Sequence, residues 1–426
     1  MPSRPNTATP QAASAGPTGF RLLAVAVLVA AVAQFFRNAH VVVAPDIMRD
    51  LGISARAFAS LTSALFLASA LVQLPGGILI DRYGSRRCVP LMLLFTGAGA
   101  ALFGLATGTG LLIAGRVMMG VGLAVIVMAG IVFCARWFDP RHFAWVAVII
   151  VGSSHLGSLG STVPMALLSD GVGWRGAYLT LAGCTLLLAA LAWAVIRDAP
   201  TGHAWYLRQP ESLRDAAGGI GEVLRVPGIG RLLALAFCGY ATLSCVVGLW
   251  GGPYLNDVHG LDTVERGRVL FWMAAGVFVG YFAFTLADHR SRNTRGMILF
   301  GAGGSALVFA LMAAVPQPAV GLVKFLFGIL GLLAGYNVLV ISHGRRFYPE
   351  RLAGRGITVV NCAVLFGAAT LQFLTGLLVG GSAEPGASVP ESAYRIVFAL
   401  LAAVLAVASV IYRKCPAGGA AEGVGR

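Results

Sequence analysis

The sequence predicts an all-α, polytopic membrane protein of about twelve transmembrane helices in two pseudo-symmetric six-helix halves. Three observations carry this. Of 426 residues, 58% are hydrophobic and 11% charged, with a mean hydropathy of +0.82, a balance outside the range of soluble domains. Apolar windows long enough to cross about 30 Å of hydrocarbon at about 1.5 Å per residue recur along the chain. Landmarks also repeat at one spacing: Pro45 to Gly52 aligns with Pro253 to Gly260, and Arg116 and Gly120 align with Lys324 and Gly328.

Residues 1–19 are rich in Pro, Ala, Ser and Thr and read as a disordered cytoplasmic tail. They lack the order of a cleaved leader, so the apolar run that follows is a retained first span. Windows at 20–44, 57–80, 88–107, 111–136, 143–168 and 174–196 make an N-terminal bundle over 20–196. A polar cytoplasmic linker occupies 197–230. Windows at 231–254, 267–287, 296–315, 318–342, 354–380 and 392–412 make a second bundle over 231–413, and 414–426 form a second cytoplasmic tail.

Charge sets the orientation. Of the 31 Lys and Arg residues, 22 fall in the tails and on one set of alternate loops. The other set holds six (Arg49, Arg56, Arg175, Arg266, Arg268 and Arg395), and Arg37, Arg116 and Lys324 lie inside spans. The positive-inside rule then places both termini and the linker in the cytoplasm. The net charge of +14 is accounted for by these loops, which argues against nucleic acid as a partner. The seven cysteines stand singly without metal-ligand spacing, and no nucleotide loop, HExxH or nucleophile elbow occurs. We therefore expect no enzyme, no metal and no cofactor.

One apolar run ends in a dense cluster of charge, GGILIDRYGSRRC at residues 76–88. Gly77, Asp81, Arg82, Gly84, Arg86 and Arg87 form the pattern GxxxDRxGxRR, with glycine where the chain must turn and arginines anchoring both helix ends on one side of a bilayer. This resembles the signature loop between the second and third helices of the major facilitator superfamily. The motifs ARWFDPRHFAWV, GWRGAY, GLWGGPYLNDVHGL and RRFYPERLAGRG extend the resemblance along the chain to bacterial permeases. It implies a transporter working by alternating access, with this loop as a latch. Asp81 would then meet the start of the eleventh helix near Arg355 when the cytoplasmic side closes. FFRNAHVVVAPDIMRDLGIS is similar to the first span of the organic anion:cation symporters, where an acid precedes the arginine; here that residue is Phe36.

Charged side chains within a bilayer are costly, at least about 2.5–3.5 kcal/mol on insertion scales, and are functional candidates for that reason. Arg37 lies past the middle of the first span. Gln34 and Asn38 share its helix face, with His40 at the edge, and a guanidinium there offers a fork matched to carboxylate or phosphate. The alternative is a buried pairing with carbonyls or a helix end. At a constant spacing Arg37 matches Cys245 and His40 matches Gly248, so the polar stripe has no twin; Arg116 and Lys324 match each other and read as architectural, snorkelling residues that assist gating. In the fifth span Ser153, Ser154, Ser158, Ser161 and Thr162 among Gly152, Gly157 and Gly160 read as close helix packing, while His155 is a candidate for substrate contact or protonation. Asn337 and Tyr336 in the tenth span and Asn361 and Gln372 in the eleventh complete the candidate lining, with interhelical hydrogen bonding as the alternative for each. Pro253, with Trp250 and Tyr254 beside it, marks a hinge at the outer gate, or else an interfacial belt.

All 17 Asp and Glu lie outside the spans or at their ends, leaving His40 and His155 as proton carriers if protons are coupled, with anion exchange or uniport equally compatible. The expected function is movement of a small organic anion across a bacterial inner membrane by a monomer embedded in lipid. An exporter of hydrophobic or chelating compounds and a non-transporting sensor are the alternatives.

Overall fold

Proline, glycine and capping side chains set the helix ends in this computed structural model, which describes residues 17–200, 206, 220–348, 350–380 and 388–416. The N-terminal tail to residue 16, most of the linker and the end of the C-terminal tail lie outside the described residues. Ser54 accepts from the Ala57 amide at 3.2 Å and starts the second span, Ala55–Tyr83. Asp262 and Glu265 form a capping box that starts the eighth, Thr263–Ser291. Both of these helices run 29 residues, and each is preceded by a left-handed glycine, Gly52 (φ 59°) or Gly260 (φ 65°), closing a short helix, Ala44–Leu51 or Gly251–His259.

Among the described residues every regular element is helical, and eleven segments are long and apolar enough to cross a membrane. The fifth crossing is the remaining one. It begins as Pro140–Gly160, breaks at Ser161 and Thr162, and continues into Val163–Val195, which itself turns at Gly173 (φ 72°) to become the sixth. The third, ninth and twelfth spans are Ser85–Gly104, Thr294–Ala314 and Glu391–Arg413, and the eleventh is Glu350–Gly380. This is the twelve-helix arrangement the hydropathy predicts.

The halves repeat their packing as well as their helices. First on fifth, second on fourth and third on sixth in one half correspond to seventh on eleventh, eighth on tenth and ninth on twelfth in the other. The halves meet along the second and eleventh spans and along the fifth and eighth. On the face opposite the arginine-rich loops these seams are tight because glycine removes the side chain: Gly376 and Gly380 lie on Ala59 and Arg56, Gly267 on Ala166, and Gly252 on the Val41 carbonyl.

The repeat spacing slips along the chain, which corrects the pairing of Arg116 with Lys324. Gly120 packs on the Leu65 carbonyl and Gly331 on the Met273 carbonyl, so these contacts are equivalent across the halves. Leu65 and Met273 are 208 apart, whereas Gly120 and Gly331 are 211 apart. Three extra residues around the turn into the tenth span put the buried Phe327 opposite Arg116. Lys324 sits near the start of its helix, exposed, with Nζ 4.8 Å from the Trp272 ring centroid. It snorkels; Arg116, fully buried, does not.

Candidate functional site

Besides the fifth crossing, four helices break along their length, and the breaks in the first, fourth and seventh lie together. The first span stops at Asn38, makes one 3-10 turn over Ala39–Val41 and resumes at Ala44. The seventh runs over Ile229–Cys245 and loosens into a π turn over Val246–Trp250 before Gly251–His259. Pro45 and Pro253 lack the N–H that would continue the ladder. The fourth splits into Thr109–Leu123 and Ile126–Ala135, and the tenth into Val320–Leu333 and Tyr336–Arg345. Each break exposes backbone carbonyls or amides to side chains that can use them.

Arg37 occupies the last turn of its helix and donates Nη2–H to the Leu123 carbonyl at 3.5 Å, where the fourth span breaks. It therefore lies beside two helix C-termini, whose partial negative charge favours a cation. That one long bond uses little of its donor capacity; Nε has no partner, and the side chain is only half-buried. The neighbouring Asn38 donates to Ser158 Oγ at 2.9 Å. Across the interface, Gly248 in the π turn leaves room for the Arg37 backbone, Asn38 and Gln372. Gln372 Nε2–H donates to the Ser244 carbonyl at 3.1 Å, leaving Oε1 unpaired. Gln34 lies one turn before Arg37, half-buried.

Sequence reasoning missed two tyrosines of the second half, Tyr240 at this cluster and Tyr281 at His155. Tyr240 is within electrostatic reach of Arg37, packs 6.3 Å from the Phe66 ring, and has an unpaired hydroxyl. Tyr281 stacks its ring 4.0 Å from that of His155, joining the fifth and eighth spans; His155 Nδ1 is also unpaired. At the tenth-span break, Asn337 donates to the Ala334 carbonyl at 3.0 Å, while the buried Tyr336 hydroxyl has no partner. Nothing in the sequence separates Tyr240 and Tyr281 from the tyrosines placed elsewhere in the chain. Unpaired buried polar atoms are uncommon, and several of them on helices of both halves make a polar interior able to receive hydrogen-bonding groups of both signs. Asn361 stands apart, eleven residues before Gln372 and roughly 16 Å along the helix axis.

His40 is fully buried with Nε2 3.4 Å from Arg116 Nη2, and its ring packs on Phe58. Its contacts are to protein groups, so it has no side free for a solute in this arrangement. The serines of the fifth span, Ser158 apart, bond carbonyls one turn back, and Gly157 leaves no room for a Cβ against Ala31. Trp250 and Tyr254 are buried, with Trp250 Nε1–H donating to Thr375 Oγ1 at 2.9 Å, so they are core residues and not an interfacial belt.

The arginine-rich loop is a turn pinned by Asp198 at the end of the sixth span. Gly84 has φ 82°, and its missing side chain makes room for the Asp198 carboxylate, which accepts from the Arg86 amide at 3.0 Å and so caps the third span. Arg82, Arg86 and Arg87 are exposed, with Arg82 lying 5.6 Å from the Tyr83 ring, and Asp81 is exposed at the last turn of the second span. Gly77 has open space around it.

A family model described as Major Facilitator Superfamily matches residues 26–371. The chain belongs to the Major Facilitator Superfamily. Similar superfamily members include a protein of Agrobacterium vitis named for tartrate transport, 23% identical over 262 residues, 58% of each chain. The Hexuronate transporter of Bacillus subtilis (strain 168) is 23% identical over 320 residues, 70% of this chain and 71% of its own. The chain spans about half the length of the first curated relatives it matches. Among solved structures, a bacterial homolog of the human lysosomal transporter Spinster superposes with a TM-score of 0.75 at 17% identity, covering 94% of this chain and 97% of its own. A D-xylose-proton symporter gives 0.74 at 13%, covering 93% and 98%. These similarities establish the facilitator fold.

Proposed function

We propose that this superfamily member moves a small organic anion across the inner membrane of a bacterium by alternating access, with both termini in the cytoplasm. The observation that carries the reading is Arg37: a cation where the broken first, fourth and seventh helices meet, with most of its donors unspent and no carboxylate among the described residues paired with it. A carboxylate or phosphate would take up the free side of the fork in a charge-assisted pair. Relatives named for tartrate and hexuronate transport support an anionic solute. Tyr240, Tyr336, Asn337 and Gln372 supply hydroxyl and amide partners from the second half.

The contact of Arg37 with Leu123 favours a second reading, an exporter of hydrophobic compounds in which Arg37 only ties helix ends together. Counterflow into liposomes separates the two. The anion reading expects uptake or competition by carboxylates, phosphate esters or sugar acids; it fails if only neutral apolar compounds move. Proton coupling, counter-anion exchange and uniport are all compatible with this reading. Of the two candidate histidines His155 has the better position for coupling, because it bridges the halves.

A further inference from the structure

The first-half helix Ala44–Leu51 and the second-half eighth span are joined at the glycine-sealed face by one buried guanidinium. Arg266 is 1% exposed, and all of its nitrogens are engaged. Three contacts stay within its own half: Nη1–H to Asn256 Oδ1 at 2.7 Å and to the Leu261 carbonyl at 3.2 Å, and Nη2–H to Thr263 Oγ1 at 2.9 Å. Two reach the other half: Nε–H to the Val42 carbonyl at 3.2 Å, freed by the break before Pro45, and Nη2–H to Asp46 Oδ2 at 2.8 Å. Thr263 also donates to Asp46 at 3.1 Å.

From this geometry we infer that Arg266 and Asp46 form a reversible latch that holds the outer face shut. The inference rests on alternating access and is independent of which solute is carried. Reversibility follows from the spare partners. When the halves part, Arg266 keeps Asn256, Leu261 and Thr263, and Asp46 keeps Arg49, 3.6 Å away on its own helix. Neither charge is stranded, so opening avoids the penalty of an orphaned buried ion. The latch has no twin: 208 residues earlier, Phe58 stands where Arg266 does, and 208 residues after Asp46 stands Tyr254. One half supplies the cation and the other the anion. Val42 lies five residues beyond Arg37 on the same broken helix, which sets the latch close to the candidate site along the chain.

The test is hydrogen–deuterium exchange on full-length protein in lipid nanodiscs without added solute, comparing wild type with Arg266→Gln and Asp46→Asn. Both variants should raise amide exchange in residues 44–51 and 251–259 by about tenfold, the equivalent of losing a charged hydrogen bond. Exchange in the third span, 85–104, should stay unchanged. Unchanged exchange at 44–51 and 251–259 would overturn the latch, and so would an equal rise throughout the third span, which is the signature of a destabilised fold. Because no solute is present, either outcome leaves the anion reading untouched.

Discussion

Arg116 donates through Nη1–H to the carbonyl of Phe36 at 3.0 Å, one residue before Arg37. A fully buried arginine of the fourth span thus holds the end of the first helix and sets where the neighbouring guanidinium emerges. Its other terminal nitrogen lies beside His40, so both tips of the Arg116 fork meet protein, and Nε alone is unpaired. Removing Arg116 takes a charged donor from the buried Phe36 carbonyl and a neighbour from the His40 imidazole. Arg116→Ala should therefore lower stability by about 1–3 kcal/mol, read as an earlier thermal transition in detergent. Lys324→Ala, which removes only an exposed cation–π contact, should cost no more than about 0.5–1 kcal/mol. Equal losses would mean that the two residues are equivalent after all.

Gly84 is required twice, for its left-handed backbone and for the space taken by Asp198. Gly84→Ala should destabilise by more than about 1 kcal/mol, because it combines backbone strain with displacement of a helix-capping carboxylate. Asp198→Asn keeps an oxygen acceptor and should be milder. Thermal melts of both variants check the order, and a reversed order would contradict the capping role.

Acid should loosen the contact between the short helix Ala44–Leu51 and the sixth span. Asp50 accepts from Arg175 and, at 3.1 Å, from Trp174 Nε1–H. The hydrogen bond from Arg175 is the main cause that holds its carboxyl below the usual range. A depressed folded-state value adds stability that is present above the ordinary Asp range, about pH 4, and is lost as the pH falls through the folded value. The pair is largely exposed, so the effect is small. Melting temperature followed from pH 6 down to pH 3 should fall less steeply in Asp50→Asn than in wild type; parallel curves would remove Asp50 as the cause.

Most of the architecture was legible in the sequence because bilayer spans are specified by long apolar runs, and helix ends by local residues such as Pro45, Pro253, Gly52 and Gly260. The broken first span was visible through Pro45, and Arg37 through the cost of a buried charge. What escaped detection depends on distances between separate segments. Arg266 reads as an ordinary loop cation, since Asp46, its partner, is 220 residues away. Tyr240 and Tyr281 look like any aromatic in an apolar helix. The pairing of Arg116 with Lys324 failed because a slip of three residues in the repeat leaves no mark in composition; only the glycine contacts of Gly120 and Gly331 reveal it.

The central claim is that Arg37 is the charge partner of the transported anion. The most direct measurement is initial flux of a carboxylate through liposomes containing Arg37→Ala, Arg37→Lys or wild type, with folding confirmed by thermal melts. Loss of a charge-assisted hydrogen bond of about 1.5–3 kcal/mol predicts a roughly tenfold to 150-fold drop in kcat/KM for Arg37→Ala, with partial retention in Arg37→Lys. An undiminished rate in folded Arg37→Ala, for every carboxylate, phosphate ester and sugar acid that wild type moves, would contradict the account.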